Sequence, residues 1–262
     1  MKPVLAFLVL SLPASAVLSV DFESVDDLSN SFTVAGGTTG ISVIGTGVGF
    51  DGSDGVNNLT ATRAHAFVVP QSFSGDLSSW STSILWNPGN STASQFTIGV
   101  ADSPDVFMTG TVPSAIQNAG DSTFLFGSIY SIFASGGINV TTTEPGVNPV
   151  IRDQTLTTLG LNTWYHVSLD VTFNGGISYT ATASISAVDG TGAPTSTLVS
   201  ASSTFDNATL SADGEVYTFF GVTDIAGTMD EFVTTAVVPE PHSLLLCSLS
   251  TGLLFLRRRR SC

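Results

Sequence analysis

The residues that could do chemistry in this sequence are first of all its carboxylates, because hydrolysis of a glycosidic bond needs two of them across the reacting bond. Glu215 stands alone in the stretch DGEVY, and Glu231 directly follows Asp230 in the stretch GTMDEF. Successive side chains of a strand point to opposite faces of its sheet, so Asp230 and Glu231 are expected to face apart. The sequence therefore predicts no catalytic carboxylate pair.

Histidine, cysteine and serine motifs for catalysis or metal binding are also missing from the sequence. His65 and His166 are far apart and His242 lies near the C-terminus, so their spacing does not suit a metal site. Both cysteines, Cys247 and Cys262, also lie near the C-terminus, and the serine-nucleophile pattern G-x-S-x-G is absent. The absence of these motifs favours a protein that is not an enzyme.

One candidate binding strip lies in the stretch NTWYHVSLDV. Alternation places Trp164, His166 and Asp170 on one face of a predicted strand, opposite a face of large apolar residues. An aromatic ring can stack on a sugar and the polar side chains can hydrogen-bond to it, which makes these three the candidate ligand-binding residues. They also suit an ordinary half-buried strand in which His166 bonds a neighbour, and the sequence favours this structural interpretation.

Calcium is the inorganic ligand that the sequence fits best, since it takes six to eight oxygen ligands. The acidic, glycine-rich stretch DGSDGVNN (Asp51–Asn58) can supply several oxygens, although it does not follow the EF-hand pattern. Ordinary acidic turns are the alternative in a chain this rich in Asp.

The elements that must position these residues are predicted to be β-strands. In YTATASISA, the residues Tyr179, Ala181, Ala183 and Ile185 share one face, and the turns NGG and DGTG border the segment. Turn-bounded strands without an internal repeat or a convincing amphipathic helix predict an all-β fold, one antiparallel β-sandwich over residues 17–235. Further strand candidates are Ala66–Val69, Ser81–Trp86, Gln95–Ala101, Thr123–Phe133, Thr197–Ser202, Val216–Val222 and Thr228–Thr234.

The charge of the chain excludes two classes of partner. Residues 17–238 contain 20 Asp and Glu against Arg63 and Arg152, a net charge of −18. Such a surface repels the phosphates of nucleic acids and the headgroups of anionic lipids. It suits cations or neutral glycans, and it equally suits plain solubility.

The N-terminal stretch MKPVLAFLVLSLPASA has the order of a secretory signal peptide. Lys2 precedes the apolar run Val4–Leu12, and Ala14 and Ala16 give the small-x-small pattern of a signal-peptidase site. The apolar run is too short to span a bilayer comfortably. We expect residues 1–16 to be removed on export, the alternative being a buried first strand.

The C-terminal stretch VVPEPHSLLLCSLSTGLLFLRRRRSC combines a Pro-Glu-Pro motif, an apolar segment and an arginine cluster. The apolar segment, residues 243–256, is shorter than the ~20 residues of a relaxed membrane-spanning helix. The arginines would hold its end on the cytoplasmic side, so we expect a transient anchor. The motif consists of Pro239, Glu240 and Pro241, and the cluster consists of Arg257, Arg258, Arg259 and Arg260.

These last residues, 236–262, resemble the PEP-CTERM sorting signal of Gram-negative bacteria. The resemblance implies recognition by an exosortase-type membrane protease, processing near the Pro-Glu-Pro motif, and release to the cell surface, the outer membrane or an exopolysaccharide matrix. A GPI-anchor signal is the rival interpretation, but its apolar tail would not usually end in four arginines.

The domain between the two signals resembles LamG-like, concanavalin A-type jelly rolls. The stretches GFDGSDG, WSTSILWNP, NTWYHVSLDV and GTMDEF carry the resemblance and occur in the order of that family. Glycosidases of this fold commonly carry E-x-D-x-E or E-x-D-x-x-E on one strand, and neither pattern occurs here. Related jelly rolls often hold a structural calcium with a late Asp near neighbouring first and last strands, which implies Asp230, Asp21 and Glu23 as metal-binding residues.

Together these features predict an exported bacterial cell-surface or extracellular-matrix protein that is non-catalytic, structural or adhesive, and carbohydrate-binding. Its expected partners are an exosortase-type protease and extracellular polysaccharide, and its expected inorganic ligand is a structural calcium. The alternative is a polysaccharide-active hydrolase of the jelly-roll class whose carboxylates come from distant strands.

Overall fold

Antiparallel β-strands make up almost all of the described chain. The computed structural model describes residues 14–36, 42–58, 65–69, 73–74, 79–90, 93–101, 124–132, 135–143, 150–157, 159–206, 208, 215–223 and 227–238. Within these residues the strands form two sheets, here called sheet 1 and sheet 2, with one hydrophobic core built from both. The predicted all-β antiparallel sandwich is confirmed.

Sheet 1 holds both the first and the last described strand. Its strands, in spatial order, are β14 (Pro194–Asp206), β13 (Ser178–Val188), β12 (Tyr165–Gly175), β7 (Ser79–Asn87), β16 (Thr228–Val238), β4 (Gly55–Asn58) and β3 (Ser42–Gly45). β1 (Ala14–Val20) lies beside the C-terminal part of β16, with Ala14 opposite Val238 and Val20 opposite Phe232. The first and last strands are therefore neighbours, as the jelly-roll resemblance implies.

Sheet 2 covers the other side of the core. Its strands, in spatial order, are β11 (Val150–Thr157), β10 (Ser135–Thr143), β9 (Phe124–Ile132), β8 (Ala93–Ala101), β15 (Glu215–Thr223), β5 (His65–Val68) and β2 (Thr33–Gly36). β6 (Phe73–Ser74) pairs with the start of β15. The sequence analysis missed β10, β11 and the short strands β2, β3, β4 and β6, because such segments owe their conformation to pairing with neighbours more than to their own pattern.

The core contains the apolar faces that alternation predicts. β12 buries Tyr165, Val167, Leu169 and Val171, and β13 buries its own predicted set from Tyr179 to Ile185. Ile98, Val100 and Phe220 of sheet 2 belong to the same buried cluster. Each fully buried side chain of this kind contributes about 1.5–3 kcal/mol relative to an exposed one, so the core is the main source of stability.

One short helix connects β1 to β2, and the sequence analysis did not predict it. α1 (Asp27–Ser31) buries Leu28, and the following Phe32 stacks on Phe22 with ring centroids 6.0 Å apart. Phe32 also meets Phe232 of β16 edge-on at 5.2 Å. A five-residue helix has too few positions to show a 3.6-residue pattern, so its apolar anchors were not recognisable in the sequence.

The predicted export and sorting segments lie mostly outside the described residues. Of the signal peptide, residues 1–16, only Ala14, Ser15 and Ala16 are described, and they belong to β1. The sorting motif and the arginine cluster lie beyond Val238, the last described residue. Within the described part of the chain, no helix is long and apolar enough to cross a membrane.

Candidate functional site

A β-bulge in β16 brings two adjacent carboxylates to the same face of sheet 1. Asp230 pairs with Leu85, but the next paired residue, Val233, faces Ser83, so β16 carries an extra residue here. Glu231 adopts a left-handed φ of 50°, and Phe232 turns back into the core with no exposed surface. The expectation that Asp230 and Glu231 face apart is therefore wrong, because a bulge breaks the two-residue alternation of a strand.

The bulge forms the floor of a cavity of about 240 Å³. The cavity lies on the face of sheet 1 that points away from sheet 2, since Met229 and Phe232 on either side of the two acids are buried in the core. The three acids predicted for calcium, Asp21, Glu23 and Asp230, all line this cavity. The other lining residues are Phe50, Asp51, Ser53, Gly190, Thr191 and Glu231.

The Asp230 carboxylate is fully engaged by hydrogen bonds from the protein. Its Oδ2 accepts one from the backbone N–H of Phe50 and one from the Ser53 hydroxyl, each at 2.8 Å. Its Oδ1 accepts a third from the backbone N–H of Glu231, also at 2.8 Å. The side chain is only 2% exposed. Burial of a charged group is tolerated when its oxygens are hydrogen-bonded in this way.

The loop from Gly49 to Gly55, here called the Phe50 loop, folds over these acids. The Gly49 N–H donates to the Ser53 carbonyl at 2.8 Å, and the Ser53 N–H donates to the Phe50 carbonyl at 3.1 Å. Asp51 takes a left-handed φ of 53° at the tip. A Cβ on Gly49 would collide with the Asp54 carbonyl oxygen, so this position needs glycine. The stretch GFDGSDG thus forms a tight turn whose residues Phe50, Asp51 and Ser53 line the cavity.

The electrostatics of the cavity disfavour charge on both acids of the bulge. Burial raises the pKa of Asp230, the hydrogen bonds from Phe50, Ser53 and Glu231 oppose this rise, and the nearby Asp21 adds to it. Partial burial raises the pKa of Glu231, and the charges of Asp230 and Asp21 raise it further. The cavity therefore favours ligands that bring positive charge or hydrogen-bond donors.

The predicted calcium residues come together without forming a metal cluster. Among the described residues, no three His, Cys, Asp or Glu side chains are arranged to hold a metal ion. Asp230 already accepts three hydrogen bonds, and calcium wants six to eight oxygens. Calcium binding at Asp21, Glu23 and Asp230 stays a prediction, and the side chains as placed do not fit it.

The predicted ligand strip lies on the same face of sheet 1, beside the cavity. Trp164, just before β12, meets Phe50 edge-on with ring centroids 5.9 Å apart at 81°. His166 is half-buried and Asp170 is exposed. Burial lowers the pKa of His166, and the Asp170 charge opposes this shift, so His166 is held toward its neutral form. The structure thus places all three residues on one face, as alternation predicts.

Small hydroxyl side chains extend this face across β12, β13 and β14. Ser168 and Ser184 share a hydrogen bond at 2.8 Å, as do Thr182 and Ser202. Thr180 and Thr204 share one at 2.9 Å. Each hydroxyl uses part of its hydrogen-bonding capacity in such a pair, and its remaining donor or acceptor positions can bind water or a polar ligand.

A hairpin turn after β13 also borders the cavity. The Asp189 carboxylate accepts hydrogen bonds from the N–H and the hydroxyl of Thr191, at 2.8 and 2.7 Å, and these bonds lower the pKa of Asp189. Gly192 follows with a φ of 80°, packed so closely that a Cβ would lie 2.9 Å from Leu85 Cδ1. The turn DGTG thus brings Gly190 and Thr191 to the cavity.

The sequence analysis missed Phe50, Ser53, Thr191 and Glu231 as site residues. Phe50 and Asp230 are 180 positions apart, and no pattern within a strand links them. The signal that was available is the glycine pattern of GFDGSDG, which indicates a tight turn but not what the turn touches.

Comparison with known proteins identifies the fold only. No protein-family model and no curated protein matches this sequence. A legume lectin-like domain from Entamoeba histolytica matches with a TM-score of 0.50 and 9% identity, covering 85% of this chain and 97% of that one. This likeness agrees with a jelly-roll β-sandwich.

Two further solved structures have lower TM-scores. A lectin from Bauhinia forficata in complex with GalNAc has a TM-score of 0.48 and 16% identity, covering 84% of this chain and 98% of that one. An endo-1,3-beta-glucanase from Streptomyces sioyaensis has a TM-score of 0.48 and 11% identity, covering 87% and 100%. A fold by itself does not decide between binding and catalysis.

Proposed function

We propose that this protein is an exported bacterial surface or extracellular-matrix protein whose β-sandwich binds carbohydrate without catalysis. The observation that carries the proposal is the aromatic corner formed by Phe50 and Trp164, beside His166 and an exposed face of hydroxyl side chains. Aromatic rings stack on the apolar faces of sugars, and carboxylates and hydroxyls accept hydrogen bonds from sugar hydroxyls.

The charge of the protein supports a neutral glycan as the ligand. Residues 17–238 carry a net charge of −18, so an anionic polysaccharide would be repelled. A neutral sugar avoids this repulsion and can donate its hydroxyl protons to the acids of the cavity.

The alternative, a polysaccharide-active hydrolase, is favoured by one observation, which is the meeting of Asp230 and Glu231 in one cavity. Asp230, however, is buried and accepts three hydrogen bonds from the protein, so it is poorly placed to exchange a proton with a substrate. The non-catalytic function is therefore the proposal we prefer.

Export by a signal peptide and sorting by an exosortase-type protease belong to the same proposal. The order of features at both ends of the sequence supports it. Val20 and Phe22 of the core cluster, and Leu18 packed against it, all follow the expected cleavage site after Ala16. Cleavage there would keep these three residues in the domain, and the sorting tail would hold the protein at the inner membrane only transiently.

The test is an array of neutral and anionic glycans probed with the protein, with and without calcium. We expect binding to neutral glycans, and we expect Trp164→Ala to weaken it about tenfold, which corresponds to about 1.4 kcal/mol. The matched control is Ser29→Ala on the exposed side of α1, which should bind as the unchanged protein does. Release of reducing ends from any bound glycan would contradict the non-catalytic proposal.

A further inference from the structure

We infer that Asp230 is the positioning residue of a sugar-contact loop: its carboxylate holds the Phe50 loop on sheet 1, so that the Phe50 ring stands beside Trp164 as a wall of the binding site. The inference rests on the proposed carbohydrate binding for its ligand, and on the hydrogen bonds of Asp230 for its mechanism. It assigns Phe50 as a ligand contact and Asp230 as the residue that acts through it.

The contacts of Asp230 reach the loop at two points. The Phe50 N–H and the Ser53 hydroxyl both donate to Oδ2, and they lie on either side of the loop tip at Asp51. The Ser53 hydroxyl also lies 2.6 Å from the Phe50 carbonyl oxygen, and with a single proton it serves only one of these acceptors at a time. The backbone bond to Phe50 is therefore the steadier of the two.

The backbone of the Phe50 loop passes very close to the Asp230 carboxylate. A Cβ on Gly49 would lie 2.7 Å from Asp230 Oδ2 and 2.5 Å from the Ser53 hydroxyl. A Cβ on Gly55 would lie 2.7 Å from the Gly49 Cα. The two glycines let the backbone close tightly over Asp230, and any other residue at position 49 would push the loop away from it.

Phe50 occupies a position that depends on this closure. Its ring meets Trp164 edge-on, and its Cε1 lies 3.7 Å from the position that a Cβ on Gly192 would take in the hairpin turn after β13. Phe50 also lines the cavity. If the loop lifted, Phe50 would leave both neighbours and the aromatic corner would lose one of its two rings.

A positioning role and a metal-binding role make different demands on Asp230. The loop needs an acceptor oxygen at the place of Oδ2, which the amide oxygen of an asparagine can supply to both donors. The asparagine NH2 group would then take the place of Oδ1, where the hydrogen bond from the Glu231 N–H is lost, but that bond is not a contact to the loop. A calcium site binds its ion more weakly when a carboxylate ligand becomes a neutral amide, because the number of charged ligands sets the affinity. Asp230→Asn should therefore preserve the loop, whereas Asp230→Ala should release it.

The experiment measures the quenching of Trp164 fluorescence by acrylamide in the full-length protein, purified in a detergent without a sugar headgroup. Trp80 and Trp86 are 3% and 0% exposed, and subtraction of a Trp164→Phe variant removes their signal. We expect Asp230→Ala and Gly49→Ala to raise the quenching constant of Trp164, and Asp230→Asn to leave it unchanged. Asp206→Ala, an exposed acid at the end of β14, is the charge-matched control and should show no change.

Binding of laminarihexaose and cellohexaose, as neutral probes, gives the second measurement. If either binds, Phe50→Ala and Asp230→Ala should weaken it about tenfold, or about 1.4 kcal/mol, and Asp230→Asn should not. Circular dichroism of each variant shows that the sandwich is still folded.

Equal quenching of Trp164 in the unchanged protein and in Asp230→Ala would overturn the inference, and so would Asp230→Asn behaving like Asp230→Ala. Intact binding to Phe50→Ala would remove Phe50 as the contact. If no glycan binds but the quenching follows the expected order, the proposed function fails and the loop-positioning role of Asp230 stands.

Discussion

Two adjacent carboxylates, Asp230 and Glu231, are held in one cavity although the pKa of each is raised there. For Glu231 the causes are partial burial and the charges of Asp230 and Asp21, and its own pKa lies above the ordinary value of 4.5. A carboxylate with a raised pKa binds its proton more tightly in the folded state than in the unfolded state. Glu231 therefore lowers stability wherever it is ionised.

This gives a pH prediction for Glu231→Gln. The folded state binds more protons than the unfolded state as the pH rises from about 4.5, the ordinary value, through the raised pKa, so stability falls over that window. The loss is complete above the raised pKa, so Glu231→Gln should raise the free energy of unfolding at pH 7, with no gain at pH 3, where the glutamate is protonated in both states. Urea unfolding at both pH values measures this, and Asp206→Asn is the control. An equal gain at both pH values would contradict the electrostatic cause.

At the scale of elements, the residues that line the candidate site come from a β-bulge and from turns rather than from regular parts of strands. The bulge in β16 turns Glu231 outward, and the turn at Asp189 to Gly192 brings Thr191 over the sheet. Gly192 has a φ of 80°, and a Cβ there would lie 2.9 Å from Leu85 Cδ1 and 3.3 Å from Glu231 Oε2. A side chain at this position would force a left-handed φ on a residue with a Cβ and would require Leu85 to shift.

Gly192→Ala should reduce the free energy of unfolding by at least about 1–2 kcal/mol, the cost of a left-handed conformation for a residue with a Cβ. Gly190→Ala in the same turn is the matched control, because a Cβ there meets nothing within 4 Å. Thermal unfolding of the two variants makes the comparison. Equal melting temperatures for both variants would show that the left-handed φ and close packing of Gly192 do not limit stability.

Regular strands could be predicted from the sequence, and the irregular ones could not. The buried faces of β12 and β13 follow a two-residue period, so Tyr165 and Tyr179 were assigned correctly to the core. The strip of Trp164, His166 and Asp170 was found by the same rule. Glu231 was assigned wrongly, because a bulge leaves no mark in the sequence that distinguishes it from a continuing strand. Phe50 was missed because its partner lies in the last strand.

At the scale of the whole molecule, Val238, the last described residue, lies at the end of β16 that is remote from the candidate site. Ala14 pairs with Val238 at one end of β16, and Asp230 lies eight residues away along that strand, about 26 Å at the usual rise. The turn after β12 lies at the Val238 end, since Thr172 pairs with Ser79, which pairs with Val237. If the proposed sorting tail anchors the protein, we therefore expect the cavity to face away from the membrane.

Single-cysteine labels can test this orientation once Cys247 and Cys262 are replaced by serine. Ile177→Cys marks the exposed turn near Val238, and Asn90→Cys marks an exposed position near the cavity end of β7. In vesicles that hold the anchored chain, a lipid with a spin-labelled headgroup should quench a fluorophore at position 177 more than one at position 90. Stronger quenching at position 90 would reverse the proposed orientation.

The contact between Phe50 and Asp230 also has a consequence for the order of folding. Its two partners are separated by 180 positions, and β1 likewise finds its partner only in β16. Contacts so distant along the chain form slowly, because the entropy of closing a long loop is lost before the contacts contribute any stabilisation. The candidate site can therefore assemble only after nearly the whole domain has been synthesised. Until β16 has been made, β1 and the Phe50 loop lack the partners that they contact in the folded protein.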